Sequence, residues 1–183
     1  MEIILFLVCI FLVCMVFGVG FFLVSQIIAI FNTDAPFVPI PDEINNQIIE
    51  HLHLTNESIL YDLGCGDARI LKNANDHRPT IHAIGVEKNL FALCLAKFNT
   101  RKNKNTKIIF GDIFKTDVHN ATHIFVYLFP EVLNVLIPKL KKECAPGTRI
   151  VSCDFVCSGV NPSEIIPLSS TGKRGKKLVV YTV

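Results

Sequence analysis

The chain has 183 residues, which is enough for one well-buried domain and too few for two of ordinary size. Half of the residues are hydrophobic, and a formal net charge of only +2 gives no indication of a nucleic-acid partner. Seven cysteines occur without the CxxC pairs of a zinc site, so we expect no bound metal, and their unpaired pattern fits a reducing compartment.

The N-terminal segment is apolar without interruption from Ile3 to Val24, and after two polar residues the apolar run resumes through Phe31. At about 1.5 Å of rise per residue, a helix of this length reaches roughly 30 Å, the thickness of a bilayer's hydrocarbon core. A secretory signal peptide would open with basic residues and end in a cleavage site, and a buried core helix would have a polar face. The sequence therefore predicts a transmembrane anchor over residues 1–31.

A short linker with three prolines follows at residues 32–41, and residues 42–183 are predicted to form one domain. Within it, the apolar spacing indicates an amphipathic helix and then strands alternating with helices, the pattern of crossover units around a parallel sheet. The predicted strands cover residues 59–63, 81–86, 107–110, 123–128 and 149–156, and the predicted helices residues 43–54, 67–75, 88–101 and 131–142.

The end of the chain departs from this alternation. Residues 158–177 show too little helical spacing for another crossover, and residues 178–183 are a continuous apolar strand. We therefore expect the last strand to pair with the strand at 149–156 as an antiparallel hairpin. The basic cluster at 173–177 is then either a solvated hairpin turn or a contact with anionic lipid headgroups. The expected fold class is α/β, a Rossmann-like sheet with an antiparallel last strand, preceded by one transmembrane helix.

A glycine-containing turn, YDLGCGDARI at residues 61–70, leaves the first predicted strand. In an open parallel sheet this turn borders the ligand crevice. The residues that line it are Asp62, Gly64, Cys65 and Gly66. A dinucleotide needs a third glycine where Arg69 stands, and the triphosphate-binding sequence GxxxxGK[ST] is absent. S-adenosylmethionine has no phosphate, and its amino acid end suits an acidic neighbour.

Two further carboxylates end neighbouring strands. Glu87 ends the second strand, where an acceptor pair can bind both ribose hydroxyls of a nucleoside. Asp112 ends the third strand, where it can accept a hydrogen bond from an adenine amino group with Ile113 against the ring. Three carboxylates in register with one ligand favour S-adenosylmethionine more strongly than any one of them alone.

The motifs DLGCGD, GVE and GDIF, in this order and spacing, resemble those of class I, seven-stranded S-adenosylmethionine-dependent methyltransferases. The resemblance covers about residues 44–183. It implies the cofactor S-adenosyl-L-methionine and a set of cofactor-binding positions that coincides with the residues above: Asp62, Gly64, Cys65, Gly66, Glu87 and Asp112.

Three flanking stretches carry a narrower resemblance: PFVP at 36–39, YLFPEVLNVLIPKL at 127–140 and GTRIVSCDF at 147–155. They are similar to a group of membrane-anchored methyltransferases whose mitochondrial members methylate lysines of the adenine nucleotide carrier and of the ring subunit of ATP synthase. This resemblance implies a protein-lysine N-methyltransferase that is attached to a membrane by its N-terminal helix and acts on a membrane protein.

The acceptor side is expected at YLFP, after the fourth strand. Tyr127, Phe129 and Pro130 can form an apolar, aromatic channel that desolvates a lysine amine, and Phe37 is a candidate for its lid. The alternative for each aromatic ring is ordinary core packing. Enzymes that methylate DNA bases carry a polar residue and two prolines here, and because YLFP lacks them we expect no nucleic-acid acceptor.

Other functions stay open on the sequence alone. The same motifs permit methylation of a lipid, a quinone or a small molecule, and the domain can also be a noncatalytic cofactor-binding or assembly module. A dinucleotide oxidoreductase is disfavoured by Arg69 and by the antiparallel last strand. Because no basic residue precedes Arg69, flanking charge does not set the orientation. The cofactor's location predicts a single-pass membrane protein whose domain faces the cytoplasm or an equivalent compartment.

Overall fold

The computed structural model describes residues 2–31 and 38–183, and the chain divides into two compact units, Met1–Pro36 and Phe37–Val183. The first unit contains one long helix, α1 (Glu2–Phe31). Its sequence is free of proline and of internal charge, so nothing interrupts the backbone hydrogen bonds. The segment Phe6–Ser25 is long and apolar enough to cross a membrane, although a signal sequence near an N-terminus has the same properties.

The second unit is an α/β domain built around one seven-stranded sheet. Its strands are β1 (Ile59–Leu63), β2 (His82–Glu87), β3 (Thr106–Phe110), β4 (His123–Val126), β5 (Arg149–Cys153), β6 (Glu164–Pro167) and β7 (Lys177–Thr182). Its helices are α2 (Asn45–Leu52), α3 (Arg69–His77), α4 (Leu90–Thr100) and α5 (Pro130–Glu143), and a 3-10 turn at Asp42–Ile44 precedes α2.

The strand order is β3-β2-β1-β4-β5-β7-β6. The first five strands in this order are parallel, and β7 runs antiparallel to both of its neighbours. The chain order reverses direction beside β1, between β1 and β4, which is where parallel sheets of this kind open a crevice for a ligand. The expected Rossmann-like fold with an antiparallel closing strand is therefore confirmed.

The core explains why β1 is central. Leu60 and Leu63 are fully buried because the sheet is covered on both faces. Three residues of the 3-10 turn and α2, spaced one helical turn apart, are also fully buried: Ile44, Ile48 and Leu52. The only charged side chain buried in β1 is Asp62, at the carboxyl end of the strand.

The expectation for residues 158–177 was wrong in one respect, because this stretch contains the strand β6. β6 is a short edge strand whose side chains are mostly exposed, so it lacks the apolar pattern of a buried strand. β6 and β7 form the hairpin, while β5 and β7 pair antiparallel without being consecutive. β5 also ends earlier than expected, since Asp154 turns the backbone with a φ of +65°.

Candidate active site

The glycine turn after β1 follows an unusual backbone path at the carboxyl edge of the sheet. Gly64, Gly66 and Ala68 all have positive φ angles, of +82°, +57° and +61°. The amides of Gly64 and Cys65 donate to the carbonyl oxygen of Val86 at 2.9 and 3.1 Å. Such a path suits glycine, and it presses the turn against the end of β2.

The other side of the turn faces the segment after β4. A Cβ atom placed on Gly64 would lie 3.1 Å from Cδ2 of Leu128, which is tighter than ordinary van der Waals contact. Leu128 stands between Tyr127 and Phe129 in the sequence. The glycine turn and the YLFP segment are therefore direct neighbours in the fold.

Asp62 supplies a buried carboxylate beneath this turn. It is 3% exposed, and burial, helped by the charges of Glu87 and Asp67, raises its pKa well above the ordinary value. Cys65 is also buried, and burial followed by the charges of Asp62 and Glu87 raises the pKa of its thiol. Cys65 is consequently a neutral wall residue and not a thiolate nucleophile.

Glu87 organises the turn from the end of β2. Its Oε2 accepts the amide of Gly66 at 2.8 Å, and its Oε1 accepts the amides of Lys88 and Asn89 at 2.8 and 2.7 Å. The carboxylate therefore fixes the glycine turn as well as standing at the expected ribose position.

Asn89 is a polar residue of this region that the sequence did not single out. Its Oδ1 caps α4 by accepting the amides of Phe91 and Ala92 at 3.0 and 3.1 Å. Its Nδ2 is buried and has no hydrogen-bond partner within residues 2–31 and 38–183. A buried donor without a partner is costly unless a ligand or a water molecule accepts its proton.

Asp112 and Ile113 lie in the turn after β3, next to the end of β2. The amide of Gly111 donates to the carbonyl of Glu87 at 3.1 Å, so the two strand ends are joined. Oδ1 of Asp112 accepts the amide of Phe114 at 2.9 Å, and Ile113 is half-buried. The structure places both residues at the same edge of the sheet as Glu87.

Arg69 occupies the position of the missing third glycine and ties three segments together. Its guanidinium bonds both carboxylate oxygens of Asp67, at 2.7 to 3.2 Å, and one oxygen of Asp42 at 2.8 Å. It also donates to the carbonyl of Ile40 at 2.7 Å. The Arg69 side chain is therefore a structural clamp that joins the start of α3 to Ile40 and to the first residue of the 3-10 turn. Its positive charge faces carboxylates.

These residues fit S-adenosylmethionine better than a pyrophosphate. The edge offers carboxylates from three strands and a bare backbone at Gly64, while the nearby cation of Arg69 is engaged by two acids. Carboxylates attract the ammonium group and bind the hydroxyls of a nucleoside, whereas they repel phosphate. Asn89 adds a buried donor that needs an acceptor.

An aromatic cluster stands beside the glycine turn. The Tyr127 ring stacks on Phe155 with centroids 6.2 Å apart, and Phe129 meets the same ring at 6.0 Å with a tilt of 51°. Phe129 is 41% exposed, and Pro130 begins α5. Burial, followed by the charge of Asp154, raises the pKa of Tyr127, and Arg174 opposes this rise through its charge and a hydrogen bond.

Phe155 was missed by the sequence interpretation, which placed it inside a strand. Because β5 ends at Cys153, Phe155 is free to turn toward the end of β4. Phe37, the candidate lid residue, lies outside the described residues. Within the part of the chain that the structure describes, no group of three or more His, Cys, Asp or Glu side chains is placed to hold a metal ion.

Comparisons with known proteins agree with this geometry. Residues 62–164 match the sequence profile of a family described as the ANTKMT methyltransferase domain. A protein-lysine N-methyltransferase of Saccharolobus islandicus is 36% identical over 151 residues, which cover 81% of this chain and 93% of that protein. An adenine nucleotide translocase lysine N-methyltransferase of Mus musculus is 30% identical over 112 residues, covering 58% of this chain and 48% of that protein.

The solved structures show the same architecture. An RNA methyltransferase from Salinibacter ruber, in complex with S-adenosyl-L-homocysteine, matches with a TM-score of 0.72 and 28% identity, over 80% of this chain and 94% of that one. A precorrin-6y C5,15-methyltransferase from Geobacter metallireducens matches with a TM-score of 0.64 and 14% identity, over 82% of this chain and 92% of that one. At 14% identity the second likeness concerns the fold alone.

Proposed function

Since this chain belongs to the ANTKMT family of S-adenosylmethionine-dependent methyltransferases, we propose that it methylates lysine side chains of a protein that lies in or at a membrane. The chain spans nearly the full length of the Saccharolobus relative but about half of the mouse one, so the substrates named for the mammalian relatives are not assigned to it. A membrane protein as the methyl acceptor and α1 as the membrane anchor both belong to this proposal.

One observation carries the choice of a lysine. Leu128 packs against the glycine turn, and its neighbours Tyr127 and Phe129 join Phe155 in the aromatic cluster. The cofactor side and the aromatic cluster thus share one short segment. An opening walled by rings can admit a long unbranched side chain and exclude water from its end.

The chemistry of methyl transfer explains why aromatic side chains around the acceptor amine are important. The bound cofactor supplies an electrophilic methyl group on a sulfonium sulfur. A lysine amine attacks only when neutral, and its ordinary pKa near 10.4 makes that form cost about 4 to 5 kcal/mol at pH 7. Burial among Tyr127, Phe129 and Phe155 disfavours the ammonium form and lowers this cost. The remaining task of the protein is to align the amine with the methyl group.

On the cofactor side, we assign roles by the chemistry of each residue. Asp62 faces the ammonium group, Glu87 the ribose hydroxyls, and Asp112 with Ile113 the adenine. The backbone of Gly64, Cys65 and Gly66 lies along the ligand. The buried state of Asp62 and the positive φ angles of the turn support these roles.

The proposed anchor is α1, whose apolar length supports a single membrane crossing. Residues 32–41 extend to about 35 Å at most, so an anchored domain stays near the bilayer. Confinement of this kind raises the effective concentration of a membrane-bound acceptor. The domain is expected on the side that contains S-adenosylmethionine, the cytoplasm or its equivalent, which protease protection of intact vesicles will test.

The decisive experiment is transfer of a radiolabelled methyl group from the cofactor by the full chain in native membranes. We expect label in a protein band and methyl-lysine after acid hydrolysis. Label found only in lipid or in small molecules, or removed by nuclease, contradicts a lysine acceptor. Binding of the cofactor without any turnover indicates a noncatalytic module instead.

A matched pair of variants shows whether the label depends on the assigned site. Glu87→Gln should reduce labelling strongly, because the uncharged amide is a weaker acceptor for the turn amides and for a ribose. Asp76→Asn alters an exposed acid whose ion-pair partner among residues 38–183 is Lys72 on α3, so labelling should stay unchanged. Equal losses in both variants contradict the site assignment.

A further inference from the structure

The loop between β6 and β7, residues 168–176, carries a concentration of positive charge at the carboxyl edge of the sheet. Lys173, Arg174 and Lys176 are exposed in this basic loop, and Lys177 follows at the start of β7. Loops with this composition are commonly loosely held. This one is fixed at both of its sides by carboxylates.

Glu43, in the 3-10 turn before α2, holds the first side of the basic loop. Its carboxylate accepts the hydroxyl groups of Ser170 and Thr171, both at 2.8 Å, and the Thr171 amide at 3.0 Å. Gln47 adds two further bonds to the backbone of Ser169, at 2.9 and 3.2 Å. The loop is thereby joined to the 3-10 turn and to α2.

Asp154 holds the second side from the end of β5. Its carboxylate accepts the amides of Gly175 and Lys176 at 2.7 and 2.6 Å, and Asp154 itself has a φ of +65°. Gly175 also has a positive φ, and a Cβ atom there would overlap Cδ1 of Ile44. The backbone of the loop is pressed onto the domain, and its three cationic side chains are exposed at the surface. The ammonium group of Lys176 donates to the carbonyl of Ser170 at 2.7 Å, and Arg174 hydrogen-bonds Tyr127.

The basic loop continues into the aromatic cluster. Asp154 precedes Phe155, which packs on both Tyr127 and Phe129. Two apolar side chains on this edge are substantially exposed, Phe129 at 41% and Val156 at 37%. We name the combined surface the rim patch, and it consists of Phe129, Val156, Lys173, Arg174 and Lys176.

The position of the first described residues of the domain distinguishes the rim patch from other basic surfaces. Arg101, Lys102 and Lys104 form a comparable exposed cluster beside Phe98, at the turn that leads into β3 and therefore at the amino edge of the sheet. By contrast, the carbonyl of Ile40 and the carboxylate of Asp42 bond Arg69 at the carboxyl edge. The segment with which the domain begins thus lies on the edge that carries the rim patch.

We propose that the rim patch binds the surface of a bilayer that contains anionic lipids, with Lys173, Arg174 and Lys176 at the headgroups and Phe129 and Val156 in the interface. Anionic bilayers bind protein surfaces in which cationic side chains flank exposed apolar side chains. The aromatic cluster is then directed at the lipid–water boundary, where it meets lysines that lie at headgroup level. This orientation of the acceptor rests on the proposed function, whereas the lipid contact does not.

The test compares the full chain in nanodiscs of phosphatidylcholine alone with nanodiscs that contain about 30% phosphatidylserine. Amide hydrogen exchange is read out in the basic loop and in residues 101–104. We expect exchange in the basic loop to slow by about tenfold in the anionic discs, and this protection to disappear at about 1 M salt, where the screening length is only about 3 Å. Exchange in residues 101–104 should stay the same.

Two matched double variants complete the test. Lys173→Gln with Lys176→Gln removes two charges from the rim patch and should abolish the protection, while the backbone bonds to Asp154 and the side-chain bonds to Glu43 are kept. Because Lys176 also donates to the carbonyl of Ser170, protection is measured against the same variant in phosphatidylcholine discs. Lys102→Gln with Lys104→Gln removes two charges at the amino edge and should preserve it. Unchanged protection in the first pair, or equal losses in both, overturns the proposal.

Other outcomes separate this proposal from the proposed function. Protection that appears only when an acceptor protein is added identifies the rim patch as a protein-binding surface and overturns the lipid contact. Failure of the chain to enter nanodiscs contradicts the anchor. Methylation of a lysine peptide in solution tests the reaction alone, and there the Lys173→Gln, Lys176→Gln protein should keep the activity of the unmodified chain.

Discussion

The polar side chains at the two edges of the sheet differ in how fully the protein satisfies their hydrogen bonds and charges. At the amino edge, Thr122 accepts the amide of Ile59 at 2.8 Å and lies 2.8 Å from Nδ1 of His123, while Thr148 donates to the carbonyl of Ala121 at 2.9 Å. At the carboxyl edge, Asp62 is buried with a raised pKa, and Nδ2 of Asn89 has no partner in the described chain. These polar groups of the amino edge have protein partners, whereas those of the carboxyl edge are arranged for a ligand.

This difference indicates that the carboxyl edge of the sheet lowers the stability of the folded domain. A buried carboxylate whose pKa is raised destabilises the folded state at neutral pH, and a buried donor without an acceptor adds to that cost. A ligand with an ammonium group and hydroxyl groups can reverse both effects. We therefore expect substitutions at the carboxyl edge to separate ligand binding from stability, and substitutions at the amino edge to change stability alone.

The largest effect is expected from Asp62→Asn. Loss of the charge should weaken binding of S-adenosylhomocysteine about 10- to 100-fold, the usual value of a hydrogen bond to a charged group. Asp62 favours folding only at low pH, and that contribution is lost as the pH rises through its raised pKa. The substitution should therefore raise Tm at pH 7.5 by about 2–4 °C, which corresponds to roughly 1 kcal/mol.

Calorimetric titration and thermal unfolding of the same preparation measure both quantities. Affinity and Tm should move in opposite directions, which is unusual for a change inside a core. An Asp62→Asn protein with unaltered affinity contradicts our assignment of this residue to the ligand.

The next effect concerns the packing beneath the glycine turn. A Cβ atom on Gly85 of β2 would lie 2.7 Å from Sγ of Cys65 and within 3 Å of Leu71 and Ile108. Gly85→Ala should therefore cost about 1–3 kcal/mol of unfolding free energy and displace the turn. Gly111→Ala is the matched control, because the nearest atom there is 3.7 Å away. Chemical denaturation should show a loss in the first variant and little change in the second.

At the amino edge, the predicted effect depends on pH. Burial, followed by the charges of Arg149 and His53, lowers the pKa of His123 to about 4. An unfolded chain binds the proton near pH 6.5, so the stability contributed by neutral His123 is present above pH 6.5 and is lost as the pH falls toward 4. Because the ring is only partly buried, we expect about 1 kcal/mol.

His123→Gln should flatten the decrease of Tm between pH 7 and pH 4.5 relative to the unmodified chain, without any change in cofactor affinity. His82→Gln, at an exposed position at the start of β2, serves as the control. A fall in affinity for S-adenosylhomocysteine in the His123 variant contradicts the division between the two edges.

The smallest effect is expected from Arg69→Lys. Lysine keeps the charge but cannot bond Asp67, Asp42 and the Ile40 carbonyl together, since it lacks the planar fork of arginine. We expect a loss of about 0.5–1.5 kcal/mol of unfolding free energy and only a modest change in affinity. Denaturation curves in detergent measure it, and a loss of cofactor binding larger than that of Asp62→Asn contradicts a purely structural clamp.

The sequence allowed a good prediction of the parallel half of the domain because its signals are local. Asp62 lies next to the last residue of β1, the glycines of DLGCGD follow that strand, and Glu87 ends β2. Strand ends of this kind can be read from apolar runs. The antiparallel half was less predictable. β6 is an exposed edge strand of four residues, and nothing in EIIP shows that it pairs with β7.

Side-chain partners across the fold were hardest to foresee. Phe155 meets Tyr127 and Phe129 only because Asp154 ends β5 with a positive φ, a conformation uncommon outside glycine. Similarly, the solitary donor of Asn89 depends on how deeply the start of α4 is buried. Both facts require the relative placement of elements that lie far apart in the chain.

The clamp formed by Arg69 has a practical consequence for anyone who wishes to produce the domain without its apolar helix. Ile40 and Asp42 contribute two of the bonds to that guanidinium, and Ile44 lies beneath Gly175. A shortened protein that begins at the first residue of α2 would lose all three residues and leave the Arg69 guanidinium paired with Asp67 alone. The truncation point should therefore precede Val38, even though the regular helix starts only at Asn45.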